Sequence, residues 1–210
     1  MIVNVKWLLL CLGVAGVGAL PVVGQQPEKP AAGADVFGHD KVWQFHLTLT
    51  AAEYAAMQPG PGMFPGFPGG PMPPPKVEPK PGEPKRDAHR SAFGIEFPWA
   101  VASLTTDGKT IEKVGLHYKG NSTYVRASRN LKRALKVDID RHDDAARFHG
   151  LKSLTLSNGV LDPSKSREAL AYSLYRAAGV PAPRTAFAEV TLTVPGKYDK
   201  EHVGLYTLIE

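Results

Sequence analysis

Alternating apolar and polar positions near the start of the chain predict a β-strand followed by a short helix. Residues 43–49 place tryptophan, phenylalanine and two leucines at every second position, with polar residues between them. Strict alternation of this kind is typical of a strand with one buried face. The next residues, Thr50-Ala51-Ala52-Glu53, form a capping box, so we expect a short helix that runs to about Met57.

Two further strand-like runs, residues 99–105 and 110–119, flank the dipeptide Asp107-Gly108. A two-residue Asp-Gly connection favours a tight hairpin. The run at 134–139 predicts another strand, because Leu135, Val137 and Ile139 fall on one face of it and Lys136 and Asp138 on the other. This part of the chain therefore predicts antiparallel pairing.

Residues 162–181 contain the spacing typical of one longer helix. Asp162 and Pro163 predict the N-cap and the first helical residue, while Gly179 and Pro181 predict the end of the helix. One stripe of this helix, which we expect to pack on the sheet, consists of Leu170, Leu174, Ala177 and Ala178.

Two apolar strands at 187–194 and 202–209 follow this helix, around a second hairpin at 195–197. The order of strands, one long helix and more strands predicts an α+β fold. We expect a mostly antiparallel sheet with one packed helix.

The first part of the chain has the features of an export signal and a linker. Residues 1–24 combine a lysine with an uncharged apolar run and predict a signal peptide; an uncleaved membrane anchor is the less favoured alternative, because the run is short for a spanning helix. Residues 59–84 contain 11 prolines and 6 glycines, which favours a solvated linker over a proline-rich ligand. We therefore divide the chain into a signal peptide, an N-terminal strand and helix (25–58), a linker insertion (59–87) and a main domain (88–210).

Charge and composition exclude several classes of function. The 25 basic and 20 acidic residues give a net charge of +5, which is compatible with a phosphorylated ligand. The basic residues do not form the long stripe that is typical of nucleic-acid binding. The single cysteine lies within the predicted signal peptide, so we expect no disulfide in the mature chain. Four aspartates between positions 138 and 144 could suggest calcium, but an ordinary acidic turn is favoured and no metal ligands are assigned.

Several ordered segments together resemble one known family. They are Val114-Gly115-Leu116-His117-Tyr118-Lys119-Gly120-Asn121-Ser122-Thr123, Leu135-Lys136-Val137-Asp138, Leu154-Thr155-Leu156-Ser157-Asn158, Ser166-Arg167-Glu168 and Gly204-Leu205-Tyr206. Their order resembles the spore coat protein H (CotH) kinase-like family. This resemblance implies an atypical protein-kinase-like N-lobe whose C-lobe is absent from this chain.

The resemblance also implies an exported enzyme. It would transfer the γ-phosphoryl group of ATP to a hydroxyl of a protein at the cell surface or envelope, with Mg²⁺ ligands and a base expected downstream of Glu210. The fragment alone is then expected to be inactive, and no nucleic-acid partner or stable membrane span is expected after signal cleavage. The alternative is a non-catalytic surface or coat-assembly protein, or an adhesin, with the same fold.

By resemblance, Lys136 is the strand lysine and Glu168 the helix carboxylate of the catalytic pair. The residues that the resemblance assigns to the cofactor are Lys119, Gly120, Asn121, Ser122, Lys136 and Glu210. Each assignment has a plain alternative: a solvated lysine, a surface glutamate, or a glycine that serves only the turn.

Overall fold

Nine strands and three helices make up the part of the chain that the structure describes. The structure is a computed structural model, and it describes residues 31–59, 87–92, 94–127 and 129–210. The predicted signal peptide and almost all of the predicted linker lie outside these residues. The strands are β1 (Val42–Thr48), β2 (Ala88–Arg90), β3 (Glu96–Pro98), β4 (Ala100–Thr106), β5 (Lys109–Tyr118), β6 (Leu135–Asp138), β7 (Ser153–Ser157), β8 (Thr185–Val194) and β9 (Tyr198–Ile209). The helices are α1 (Ala51–Ala56), α2 (Ser122–Arg126) and α3 (Arg167–Ala177).

Seven of the strands form a closed barrel in the order β1-β4-β5-β6-β7-β9-β8. The neighbouring strands pair antiparallel, except that β1 runs parallel to β8 along its whole length. The first strand therefore closes the barrel, because it joins β4 on one side and β8 on the other. At the coarse level the α+β, sheet-dominated prediction is confirmed, although the sheet is a barrel. None of the helices in the described ranges is long and apolar enough to cross a membrane.

The interior of the barrel is filled by the apolar residues of alternating strands. Leu116, Val137 and Leu154 lie in register on β5, β6 and β7, and each is at most 1% exposed. Trp43 and Phe45 on β1 pack edge-on against Phe148, with ring centroids 5.3 and 5.7 Å away. The strand alternation read from the sequence is thus the division between the inside and the outside of the barrel.

The local signals of the first half of the chain are confirmed. Thr50 Oγ1 accepts a hydrogen bond from the backbone N–H of Glu53 at 3.1 Å, which begins α1. Asp107 and Gly108 have φ values of +46° and +71°, the two positive values that a type I′ hairpin turn requires. These devices depend on neighbouring residues only, and for that reason the sequence is sufficient to predict them.

The predicted start of the long helix is wrong. Helix α3 begins at Arg167 with Ser166 as N-cap, four residues after Pro163. The Asp162 carboxylate instead accepts hydrogen bonds from the backbone N–H groups of Ser164 (3.0 Å) and Arg167 (2.8 Å). This aspartate therefore organises a turn before the helix, because Ser and Asp side chains bind nearby backbone donors equally well in turns and at caps.

The predicted packing of this helix is also wrong. Leu170 and Leu174, expected against the sheet, are 58% and 61% exposed. The helix turns its other side to the barrel, where Ala169 is buried and Arg176 donates to the carbonyl of Pro183. Periodicity identified an apolar stripe correctly, but a stripe does not specify what covers it.

Candidate functional site

A row of paired residues crosses the outside of the barrel beside α3. Register places His117 of β5 opposite Lys136 of β6, Lys136 opposite Thr155 of β7, and Thr155 opposite Ile209 of β9. Opposed residues on adjacent strands share a face, and their neighbours Leu116 and Val137 point into the barrel. Lys136, the lysine that the family resemblance assigns to phosphate binding, therefore lies in the middle of this row.

Lys136 is a half-buried cation with a neutral hydrogen-bond partner. Its ammonium donates to Ser153 Oγ at 2.7 Å. Burial lowers the pKa of Lys136, the neighbouring Lys119 ammonium lowers it further, and the Asp138 carboxylate opposes the shift. The ammonium of Lys119 is therefore one of the charges that act on Lys136.

Lys119 follows β5 directly, and its backbone N–H donates to the carbonyl of Ala134. Burial lowers the pKa of this lysine as well, while the Glu168 carboxylate at the start of α3 counteracts the shift. In the described ranges, no ion pair within 4.0 Å joins a carboxylate to Lys119 or Lys136. The site thus holds two partly desolvated ammonium groups with Glu168 as a nearby carboxylate.

His117 lies opposite Lys136 in the strand register and is only 4% exposed. Its Nδ1 donates to the Tyr118 carbonyl at 2.5 Å, and its ring contacts Trp99 edge-on with centroids 4.0 Å apart. Burial is the main cause that lowers the pKa of His117 to about 4, and the charges of His89, Lys119 and Lys136 act in the same direction. The imidazole is therefore neutral at pH 7 and adds no positive charge to the lysine pair.

The loop after Lys119 leads into the short helix α2. Gly120 has a φ of +102°, and a Cβ at this position would collide with Thr123 Oγ1, so the turn requires glycine. Asn121 is the N-cap residue of α2, and its buried Oδ1 has no hydrogen-bond partner in the part of the chain that the structure describes. Ser122 is exposed as the first residue of α2. All four residues predicted for this loop are therefore in one turn.

Glu210 has a partner of its own. Its carboxylate accepts two hydrogen bonds from the Arg184 guanidinium, at 2.8 Å from Nε and 2.5 Å from Nη2. These hydrogen bonds lower the pKa of Glu210. Glu210 directly follows Ile209, so it lies at the edge of the same row as Lys136, with its side chain held by Arg184.

The acidic turn after β6 is engaged with cations. Asp140 forms ion pairs with Arg147 (3.3 Å) and Lys152 (3.4 Å), and Arg141 lies 3.8 Å from Asp138. No group of three histidine, cysteine, aspartate or glutamate side chains suited to a metal ion occurs in the described ranges. Asp138 and Asp140 are therefore engaged in ion pairs with neighbouring cations.

Of the residues assigned from the sequence, Glu168 acts electrostatically on Lys119, and Lys119 acts on Lys136. Sequence reasoning missed the two residues that set the environment of Lys136, namely His117 and Ser153. Alternation along β5 already places His117 on the outer face, but its contact with Lys136 depends on the pairing of β5 with β6. Strand register is fixed by the folded barrel, so no local signal could have supplied it.

Comparison with known proteins gives one family. The family model described as CotH kinase protein matches residues 116–210, a range that contains every assigned site residue. No curated protein matches the chain. The resemblance drawn from the ordered segments is thereby confirmed over this range.

Proposed function

Because residues 116–210 match the CotH kinase protein family, we propose that this barrel binds the phosphates of ATP for kinase chemistry. The group transferred is the γ-phosphoryl, and the acceptor is a hydroxyl of a protein at the cell surface or envelope, reached by export of the chain. The roles proposed below concern phosphate binding, since this is the step for which the described residues have suitable chemistry.

The observation that carries the proposal is the pair of half-buried lysines. Burial disfavours the charged forms of Lys119 and Lys136, and the Lys119 ammonium adds to this effect at Lys136. The carboxylates of Glu168 and Asp138 oppose these shifts, but the pKa of each lysine is still lowered, so the cost of burying the two cations is only partly offset. An anion with several oxygens between the two ammonium groups would remove this cost. A polyphosphate meets that requirement, because its charge is spread over oxygens that each ammonium can contact.

The neighbouring residues have supporting roles in this proposal. Gly120 supports the loop after Lys119, since its φ of +102° and the closeness of Thr123 Oγ1 leave no place for a Cβ. Glu168 acts electrostatically on Lys119 and keeps the lysine pair oriented, as a helix carboxylate does in kinase chemistry. His117 stays neutral and excludes water from one side of Lys136.

In the transfer, the bond from the γ-phosphorus to the bridging oxygen breaks and a bond to the acceptor hydroxyl oxygen forms. ADP keeps the bridging oxygen, and the hydroxyl proton passes to a base. A metal would neutralise the developing charge, and this proposal assigns neither its ligands nor the base. Lys119 and Lys136 bind and orient the phosphates.

The experiment is a comparison of Lys136→Ala with Lys152→Ala. Lys152 is a matched control, since its side chain is 69% exposed and pairs with Asp140 outside the lysine pair. Titration calorimetry with ATP measures binding to the chain, and we expect Lys136→Ala to raise the Kd at least about tenfold, the scale of a charge-assisted hydrogen bond. Lys152→Ala should bind as the parent does.

Phosphoryl transfer is then measured with γ-labelled ATP on the protein that contains metal ligands and base. There Lys136→Ala should lower kcat/KM by about a hundredfold or more. Thermal unfolding of the same preparations checks that the fold is intact. If a folded Lys136→Ala variant binds ATP as tightly as the parent does, the phosphate role of Lys136 is refuted. If ATP binding depends on Lys136 but no phosphoryl transfer is detected, the result supports a non-catalytic binding protein.

A further inference from the structure

The hairpin of β2 and β3 packs on the outside of the barrel beside the candidate site. His89 and Phe97 are directly opposite each other in its antiparallel register, so they share one side of the ribbon. Phe97 is fully buried, and its ring contacts that of Tyr124 on α2 edge-on, with centroids 5.0 Å apart. The ring of His89 lies 5.2 Å from the ring of His117 on β5. The hairpin therefore contacts both elements that flank the loop at 119–121, because this loop joins the end of β5 to the start of α2.

Polar contacts at both ends of the hairpin hold it in place. At its open end, the Arg141 guanidinium donates to the Asp87 carboxylate at 2.5 Å and lies 4.0 Å over the ring of Trp99. The backbone N–H of Trp99 donates to the Asp87 carbonyl at 3.1 Å. At the turn, Ser91 Oγ accepts a hydrogen bond from the backbone N–H of Ile95 at 3.1 Å. The side of the ribbon that meets the barrel is therefore fixed in its position.

His89 is the exposed member of a group of basic side chains around His117. It is exposed on β2, and its ring nitrogens have no hydrogen-bond partner in the part of the chain that the structure describes. His117, on which its ring packs, lies opposite Lys136 in the strand register. The charges of His89, Lys119 and Lys136 all disfavour a second proton on the His117 ring. Basic residues from three separate segments therefore act on one buried imidazole.

From this placement we propose that His89 is a further phosphate-binding residue, which donates a hydrogen bond to an oxygen of the ATP triphosphate. The inference rests on the proposed function and extends it to a hairpin that precedes the family match at residues 116–210. An imidazole N–H can donate to a phosphate oxygen, and this hydrogen bond is stronger when the ring is protonated. A triphosphate has more oxygens than two ammonium groups can contact, so a third donor has an acceptor available.

The charges around His117 favour a phosphate over the adenine ring as the group that His89 contacts. An anion is attracted by each of the basic side chains and offsets the repulsion among them. The adenine ring is uncharged, so it offsets none of this repulsion. The exposed ring of His89 is therefore better matched to the triphosphate than to the base.

Titration calorimetry with ATP and with inorganic tripolyphosphate tests the role of His89. His89→Leu keeps a bulky side chain against His117 but removes the donor, so it should raise the Kd of both ligands about fivefold, the scale of one hydrogen bond. His89→Gln keeps an N–H donor and should bind both ligands nearly as tightly as the parent does. Arg90→Leu is the matched control, because Arg90 is the next residue of the same strand, is also exposed and points to the opposite side of the ribbon. Its affinities should equal those of the parent, and thermal unfolding checks that each variant is folded.

NMR of the parent chain gives a second measurement that needs no variant. The imidazole signals of His89 should shift as tripolyphosphate is added, because the phosphate oxygen lies against the ring. The signals of His202 should stay in place, since that side chain is 62% exposed on β9, away from the hairpin.

Three results would overturn the role of His89. They are unchanged tripolyphosphate binding by His89→Leu with unmoved His89 signals, an equal loss of affinity in Arg90→Leu, and a loss for ATP without one for tripolyphosphate, which would assign His89 to the adenine ring. Lys136→Ala distinguishes this inference from the proposed function. If Lys136→Ala weakens ATP binding and His89→Leu does not, only the inference on His89 fails. If neither variant weakens ATP binding, the phosphate role of the whole site fails as well.

Discussion

The buried His117 should make the stability of the barrel depend on pH in a defined window. Its ordinary pKa of 6.5 applies to the unfolded chain, and burial lowers the pKa to about 4 in the folded chain. Between these two values the unfolded chain binds the additional proton, so acid favours unfolding. The free energy of unfolding should therefore fall as the pH decreases from about 6.5 to about 4, and should not change from this cause above pH 7.

The size of the effect follows from the difference between the two pKa values. Each tenfold change in proton affinity corresponds to about 1.4 kcal/mol, so His117 should account for a loss of up to about 3 kcal/mol at pH 4. That loss is a large part of the total stability of an ordinary domain. The neutral ring is held by Trp99 and by the Tyr118 carbonyl, and the charges of His89, Lys119 and Lys136 disfavour a second proton on it.

Urea unfolding at intervals from pH 7.5 to pH 4 measures the effect, with linear extrapolation at each pH. His117→Gln cannot take up the proton, so its curve of free energy against pH should be flatter than that of the parent by up to about 3 kcal/mol over this range. His202→Gln is the control, because that side chain is 62% exposed, and it should keep the slope of the parent. Parallel curves for the parent and His117→Gln, or an NMR titration of His117 with a midpoint near 6.5, would refute the reasoning.

Two further predictions concern the turn and the barrel interior. Gly120→Ala should strain a residue at φ +102° by about 1 to 3 kcal/mol and weaken ATP binding, which thermal unfolding and calorimetry measure; an unchanged Tm would show that the turn tolerates a Cβ. Leu156→Ala removes a fully buried side chain from β7 and should cost about 2 to 5 kcal/mol in urea unfolding. Leu161→Ala, at an exposed position, should cost about 0.5 kcal/mol or less.

The parts of the fold that sequence predicted are those fixed by neighbouring residues. The alternation of 134–139 placed Val137 inside and Lys136 outside, and the structure has this division. The parallel contact of β1 with β8, by contrast, joins residues about 145 positions apart, and nothing in either strand specifies its partner. No strand is predicted from the sequence at β7 (Ser153–Ser157). A buried run of this length does not distinguish a strand from other buried segments.

In the candidate site, too, some features could be predicted from the sequence and others could not. Lys119, Lys136 and Glu168 could be assigned because the family order of segments names them, and their roles stay predictions. The neutral state of His117 could not be predicted, because it arises from the packing of Trp99 and from the pairing of β5 with β6. Register and burial, and not residue type alone, set the charge of the site.

The two lysines of the candidate site and Glu168 are held by elements of different stability. Lys119 and Lys136 are positioned by barrel strands, so their separation is fixed by a closed ladder of hydrogen bonds. Glu168 is positioned by a helix that buries a single residue, Ala169. An element with so little buried surface opens at low free energy, so the position of Glu168 is less firmly fixed than the positions of the two lysines.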